Sequence, residues 1–239
     1  MTALLRYQAA ILLRSHRWIF PLIAYGLLIT VGAAGSTSLA ETLDWSGAML
    51  VPVVAFLTRA MLTAEPDAAR ACVAAAAGPA RAQLATLIVP LGGGAALGAA
   101  AIAFDVLTAE AASTAPGSGL AGKVTAAAGH PGIVAAGLLT ALVCLLVGSA
   151  AGALCNPPLL RHRAAAMLST LAAIVVALAA GVSPASAAIS HTTAKAADPL
   201  AANWPGTGPL AGAACLLAVA WGVSVLAATR RDTWSVSSE

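Results

Sequence analysis

Few residues of this sequence have the types and spacing that catalysis, metal binding or phosphate binding requires. Cys72, Cys144, Cys155 and Cys215 form no CxxC pair, so we interpret all four as small, buried apolar residues and not as a zinc site or a disulfide framework. The sequence contains no HExxH and no GxxxxGK[ST]. In the stretch GSAAG at 148–152 the serine comes second, so it is not GxSxG and indicates close helix packing instead. This pattern predicts neither a catalytic site nor a metal site.

One ionisable residue is a candidate for chemistry because of where it lies. Asp105 is close to the end of a long apolar run, residues 83–107, and we predict that it is the only acidic residue inside such a run. An acidic group in apolar surroundings is typical of a site for substrate or for gating. A carboxylate near the end of a run also reaches an aqueous interface easily, so both interpretations of Asp105 stay open.

The composition indicates the kind of protein that must position this residue. Of the 239 residues, 60% are hydrophobic and 9% are charged, and the mean hydropathy is +0.90. A soluble domain carries about 25% charged residues. We therefore predict one all-α domain, residues 1–239, that crosses a membrane several times. The first residues lack the pattern of a cleavable signal peptide, so we expect the first apolar run to stay in the mature protein.

Six runs approach the length of about 20 residues that a spanning helix needs. They are 18–35, 46–62, 83–107, 132–154, 164–182 and 208–228. If the N-terminus lies in the cytoplasm, all arginines fall on the cytoplasmic side and only Lys123 and Lys195 fall outside. This asymmetry predicts that both termini are cytoplasmic.

The stretch at 64–80, between the second and third runs, is charged and interrupted by proline. Glu65, Pro66 and Asp67 mark a helix start, since proline suits the first turn and acidic groups complement the helix dipole. Alanine-rich sequence then favours a helix, and Gly78 followed by proline ends it. The stretch therefore predicts a short, rigid cytoplasmic helix. It either docks a partner or lies on lipid headgroups.

Two further segments have a recognisable character. Residues 1–17 predict an amphipathic helix, because Arg6, Arg14 and Arg17 share an arc of about 80° at the helical period, although Leu13 interrupts the pattern. A cytoplasmic extension of the first span is the alternative. Residues 183–209 predict an extracellular loop that is long enough for a re-entrant element.

Three of these stretches are similar to one family. The amphipathic LLRYQAAILLRSHRW, the acid–proline–helix stretch EPDAARACVAAAAGPARAQLATLIVP and the basic connection GSAAGALCNPPLLRHRAAAML resemble segments of permease subunits of ABC-2 type ABC transporters, of the sort common in actinobacteria. The resemblance covers nearly the whole chain.

This resemblance implies a mechanism and partners. The chain would be no enzyme itself and would bind no cofactor, because ATP would be bound by two cytoplasmic ATPase subunits. It would pair with a second permease in a bacterial plasma membrane and export an apolar or amphipathic substrate. The helix at 64–80 would be the coupling helix, and the residues implied in ATPase coupling are Glu65, Pro66, Asp67, Arg70, Gly78 and Arg81.

Two other classes compete with this reading. The alternative is a stand-alone carrier or channel that uses Asp105. A membrane-embedded enzyme is disfavoured, since no nucleophile–base pair converges in the sequence.

Overall fold

The structure is a computed structural model that describes residues 1–35, 39–108, 131–155, 163–179, 183–193 and 207–236. In this part of the chain all regular structure is helical. The helices are α1 (Thr2–Ser15), α2 (Ile19–Gly35), α3 (Leu39–Leu62), α4 (Asp67–Ala77), α5 (Pro79–Thr108), α6 (Pro131–Leu154), α7 (Arg163–Ala179), α8 (Pro184–Thr193) and α9 (Thr207–Val236).

Several of these helices are long and apolar enough to cross a membrane. Four candidate spans lie within single helices, Leu39–Leu62, Pro79–Thr108, Gly132–Leu154 and Thr207–Thr229, and a fifth, Ala164–Ile189, takes in α7 and the first residues of α8. The pair α1 and α2 gives a sixth if it is counted as one span, although it bends by 75°. The predicted all-helical, polytopic membrane architecture is therefore confirmed, with five to six spans.

Small residues let α3 and α6 approach closely at the centre of the bundle. A Cβ atom added to Gly148 would lie 2.6 Å from the carbonyl oxygen of Val51, and one added to Gly152 would lie 2.7 Å from Thr58 Cβ. Glycines on facing membrane helices allow such contact because no side chain holds the backbones apart. The packing interpretation of GSAAG is thereby confirmed.

Helix α3 begins earlier than the apolar run predicted. It starts at Leu39 instead of residue 46, and it therefore includes Glu41 and the buried Asp44. The prediction that Asp105 is the only acidic residue within a span was wrong. The physical reason is that backbone hydrogen bonds do not depend on apolar side chains, so the helix can begin several residues before its apolar segment.

The cysteines do not share one environment. Cys144 is buried in the core, whereas Cys72 and Cys215 are exposed and Cys155 is half-buried. The interpretation of all four as buried small residues therefore holds only for Cys144.

The N-terminal segment forms its own helix. Helix α1 ends at Ser15, and His16 adopts φ 54, which turns the chain through the bend into α2. The 75° bend shows that α1 does not continue α2 in a straight line. Arg17 lies in the turn, so it does not belong to the helical arc assigned to it.

Part of the predicted outer loop is also helical. Ser183 Oγ accepts a hydrogen bond from the Ser186 N–H at 3.0 Å and donates to the Ala177 carbonyl, so it joins the end of α7 to the start of α8. Ala185 and Ala188 of α8 are fully buried in the apolar cluster that contains residues of α3, α6 and α7. Residues 180–182 and 194–206 lie outside the described part of the chain.

Candidate functional site

Helix α4 occupies the stretch that the sequence singled out. It begins at Asp67, with Pro66 as the residue before it at φ −60 and ψ 147, so proline precedes the first turn instead of lying in it. The helix ends at Gly78, whose N–H donates to the Ala74 carbonyl at 2.8 Å and whose φ is 84. A positive φ is easily adopted only by glycine, which explains this residue.

The Glu65 side chain makes its hydrogen bonds to helix α1 and not to the first N–H groups of α4. Its carboxylate is buried and accepts hydrogen bonds from Tyr7 Oη at 3.1 Å and from Gln8 Nε2 at 3.3 Å. Desolvation and the adjacent Glu65 carboxylate raise the pKa of the Tyr7 phenol above its ordinary value, so the phenol keeps its proton and donates. Glu65 therefore fastens the loop before α4 to helix α1.

Two arginines donate hydrogen bonds to backbone carbonyls where α3 ends and this loop begins. Arg70 Nη2 donates to the Leu62 carbonyl at 2.6 Å, and Arg17 Nη1 donates to the Thr63 carbonyl at 3.1 Å. The last carbonyls of a helix lack partners within the helix, and cations near them are favourable. Arg70 thus joins α4 to the end of α3.

The remaining candidates around α4 lie at its two ends. Arg81 is exposed in the first turn of α5, which begins at Pro79 directly after Gly78. Asp67 is the first residue of α4, and its side chain lies outside what the structure describes.

One side of α4 is exposed and bears small side chains. Its exposed residues at the helical spacing of three and four are Ala68, Ala71, Cys72 and Ala75. The other side lines an apolar groove of about 400 Å³ against α1, formed by Met1, Ala3, Leu4, Tyr7, Val73, Ala76 and Ala77. The helix therefore packs against α5, faces α1 across this groove and presents small side chains on its exposed side.

Asp105 lies far from this assembly. It is fully buried, and Ser46 Oγ lies 2.6 Å from its Oδ2, while Tyr25 Oη donates to the Ser46 carbonyl at 3.1 Å. Its Oδ1 has no hydrogen-bond partner among the described residues. About 40 Å of helix separates it from the start of α5. The structure thus places Asp105 between α2, α3 and α5 and not at an exposed interface.

Polar contacts that the sequence did not indicate link the helices near α4. Gln83 Nε2 donates to Ser224 Oγ at 2.9 Å, and Trp221 Nε1 donates to Ser149 Oγ at 3.3 Å. These bonds join α9 to the first turns of α5 and to the last turns of α6. Neither residue type nor spacing predicts these pairs, because the partners are far apart in sequence.

Comparison with known proteins adds no family. No protein-family model, curated protein or solved structure matches the chain. The class that the fold defines is an all-helical protein with several membrane-spanning helices and a short, anchored helix between two of them.

Proposed function

We propose that this chain is the membrane-spanning permease subunit of an ATP-driven exporter of the ABC-2 type. It lies in a bacterial plasma membrane with both termini in the cytoplasm, and a separate subunit binds and hydrolyses ATP. The observation that carries the proposal is helix α4, an exposed helix fixed at both ends to the spans that flank it.

The anchoring of α4 suits the transmission of force. Arg70 bonds to the end of α3, and Gly78 leads directly into α5. Only 63–66 separate α3 from α4. Because no flexible linker intervenes, a push on α4 moves the ends of both spans. A loop that merely returned the chain would need none of these bonds.

The residues implied in coupling then divide into three groups. Glu65 and Arg70 are positioning residues, because both carboxylate oxygens of Glu65 and Nη2 of Arg70 form hydrogen bonds within the chain. Pro66, Asp67 and Gly78 set the ends of the helix, and the exposed Arg81 flanks it.

The ATPase subunit would contact the exposed apolar side of α4, the surface Ala68–Ala71–Cys72–Ala75. Small side chains on this surface let a partner groove approach the helix backbone closely.

Other exposed surfaces fit the lipid or a second permease. Large apolar side chains are exposed on α2, α7 and α9, among them Phe20, Leu168 and Val219. In a membrane such surfaces face acyl chains or a neighbouring subunit. An apolar or amphipathic substrate is consistent with the apolar helices, which offer few polar groups to a hydrophilic one.

The competing function is a stand-alone carrier. Its supporting observation is Asp105, a buried carboxyl group whose Oδ1 has no partner among the described residues. Such a group is suited to a proton or substrate site. This function requires transport without ATP, whereas the permease requires an ATPase subunit.

The decisive experiment is purification of the tagged full chain from its native host in mild detergent, with identification of co-purifying proteins. An ATPase subunit should co-purify with the wild type and with Ala71→Ser. It should be lost with Ala71→Glu, since an unpaired charge buried in an interface costs about 3 kcal/mol, roughly a hundredfold in affinity. A chain that purifies alone, intact and monodisperse would overturn the proposal.

A further inference from the structure

The outer flank of α1 combines cations with an exposed leucine. Arg6 and Arg14 are exposed, and Leu13 is 63% exposed on the same side, within about 100° of the helix circumference. Gln8 and Leu12, on the opposite side, are buried. Leu13, which interrupts the pattern in the sequence, is therefore part of one continuous exposed surface. We call the surface Arg6–Leu13–Arg14 the outer flank of α1.

This flank lies on the helix that directly precedes the exposed apolar surface of α2. After the 75° bend, α2 exposes Phe20 (82%) and Ile23 (63%). Trp18 lies at the bend and donates from Nε1 to the Leu13 carbonyl at 3.3 Å. Tryptophan favours the boundary between headgroups and acyl chains. A sharp bend with a tryptophan beside it is typical of a helix that lies at the level of the headgroups before the next helix enters the membrane.

No acidic side chain of the described residues neutralises the charge of the flank. Helix α1 contains no acidic residue, and the structure records no ion pair for Arg6 or Arg14 within the described residues. Guanidinium groups bind phosphate oxygens through paired, charge-assisted hydrogen bonds. An apolar side chain beside them reaches the acyl boundary while the arginines stay at the phosphates.

We propose that the outer flank of α1 binds the headgroup of an anionic phospholipid. Arg6 and Arg14 bind its phosphate, and Leu13 packs on its acyl chains. The inference rests on the position of α1 at the membrane surface and does not require an ATPase subunit. It also has a consequence for α4, because Tyr7 and Gln8 of the same helix hold Glu65. A lipid that fixes α1 thereby fixes the position of α4.

The test measures lipid binding to the full chain in a neutral detergent by native mass spectrometry. Phosphatidylglycerol and phosphatidylcholine with identical acyl chains are titrated separately. We expect the wild type to prefer phosphatidylglycerol. Each basic residue at an anionic surface contributes about 1 kcal/mol, so Arg6→Gln/Arg14→Gln should weaken phosphatidylglycerol binding by about 25-fold. Phosphatidylcholine carries the same phosphate, but its choline cation offsets that charge, so its binding should weaken much less.

Further variants distinguish binding at this site from nonspecific attraction by positive charge and from loss of the fold. Arg6→Lys/Arg14→Lys keeps both charges and should retain most of the preference for phosphatidylglycerol. This variant tests the proposal even if the glutamine variant fails to fold. Arg81→Gln removes an exposed arginine outside α1 and should retain the full preference. Leu13→Gln should weaken phosphatidylglycerol binding while both arginines remain.

Three results would overturn the proposal. The first is equal affinity of the wild type for the two lipids. The second is an unchanged preference in the glutamine variant. The third is displacement of phosphatidylglycerol by inorganic phosphate at the same concentration, which would identify a site for free anions instead of a lipid.

Discussion

The phenol of Tyr7 donates a hydrogen bond to the Glu65 carboxylate at 3.1 Å, across 58 residues of sequence. Gln8 Nε2 donates to the other oxygen of the same carboxylate at 3.3 Å. One buried acidic group therefore receives two donors from consecutive residues of α1. In consequence, α1 and the loop before α4 form a single mechanical unit.

Replacing this carboxylate should loosen that unit. Glu65→Ala leaves the buried Gln8 amide without its acceptor, and an unsatisfied buried polar group costs about 1–3 kcal/mol. We expect a lower melting temperature in lipid nanodiscs and faster proteolysis of α1. Tyr7→Phe removes only one hydrogen bond and should cost about 1 kcal/mol. Equal stability of Glu65→Ala and the wild type would show that the two bonds do not hold α1.

The backbone of Gly78 supports a prediction about the end of α4. Its φ of 84 disfavours any side chain, although a Cβ atom there would meet nothing within 4 Å. Gly78→Val should therefore cost about 1–3 kcal/mol through backbone strain alone and distort the passage into α5. Transport by the assembled complex should fall while membrane insertion persists. Both quantities can be measured in reconstituted vesicles.

The control for this variant is another glycine with free space around it. A Cβ atom on Gly92 also meets nothing within 4 Å, but Gly92 lies inside α5 and has no positive φ. Gly92→Val should retain transport. Normal transport in Gly78→Val would contradict a role of the α4 end in coupling.

The contact between α3 and α6 should tolerate no added side chain. In Gly148→Ala the new Cβ would lie 2.6 Å from the Val51 carbonyl oxygen, and a helix backbone on the far side of the contact cannot yield as a flexible side chain can. We expect a loss of about 1–3 kcal/mol in stability, visible as a lower melting temperature and a broadened size-exclusion peak.

Gly222→Ala is the matched control, because its Cβ would lie in open space. It should behave as the wild type does. A fully stable Gly148→Ala would mean that α3 and α6 do not pack as closely as described.

Local features of this chain were predictable and distant pairings were not. The sequence placed the short helix within 64–80, and the structure has Asp67–Ala77 followed by a glycine of positive φ, because proline and glycine act on the backbone of their immediate neighbours. The bend at His16 could not be predicted from the local sequence, because the surroundings of this histidine and not its residue type determine its positive φ.

The site itself was harder to predict. Glu65 suggested a helix start, yet its role is set by Tyr7 and Gln8, which no spacing rule connects to it. Asp44 was not predicted to lie in a span because the apolar run begins at residue 46, whereas the helix already begins at Leu39. Burial and pairing depend on which helices become neighbours, and sequence periodicity does not contain that information.

The contact between Asp105 and Ser46 distinguishes the two proposed functions. Ser46 Oγ lies 2.6 Å from Asp105 Oδ2 and 3.1 Å from the Leu43 carbonyl oxygen, and a hydroxyl has only one proton to donate. In Asp105→Asn the amide can donate to Ser46 Oγ while Ser46 donates to Leu43, so the free energy of unfolding should stay within about 1 kcal/mol of the wild type and the melting temperature should change little. Asp105→Leu removes this partner and adds volume in a packed contact, so it should be clearly less stable.

Transport by Asp105→Asn then decides the role of the carboxyl group. In a permease driven by a separate ATPase, the asparagine variant should transport at close to the wild-type rate, and transport should stop when ATP is withheld. A carrier that uses Asp105 to bind a proton or a cationic substrate should lose transport in this variant although its fold is intact, and its wild-type activity should persist without ATP. The chain is therefore a carrier and not a permease if Asp105→Asn keeps its stability but loses transport, and if wild-type transport does not need ATP. The paired measurement of melting temperature and transport prevents a misfolded variant from imitating that result.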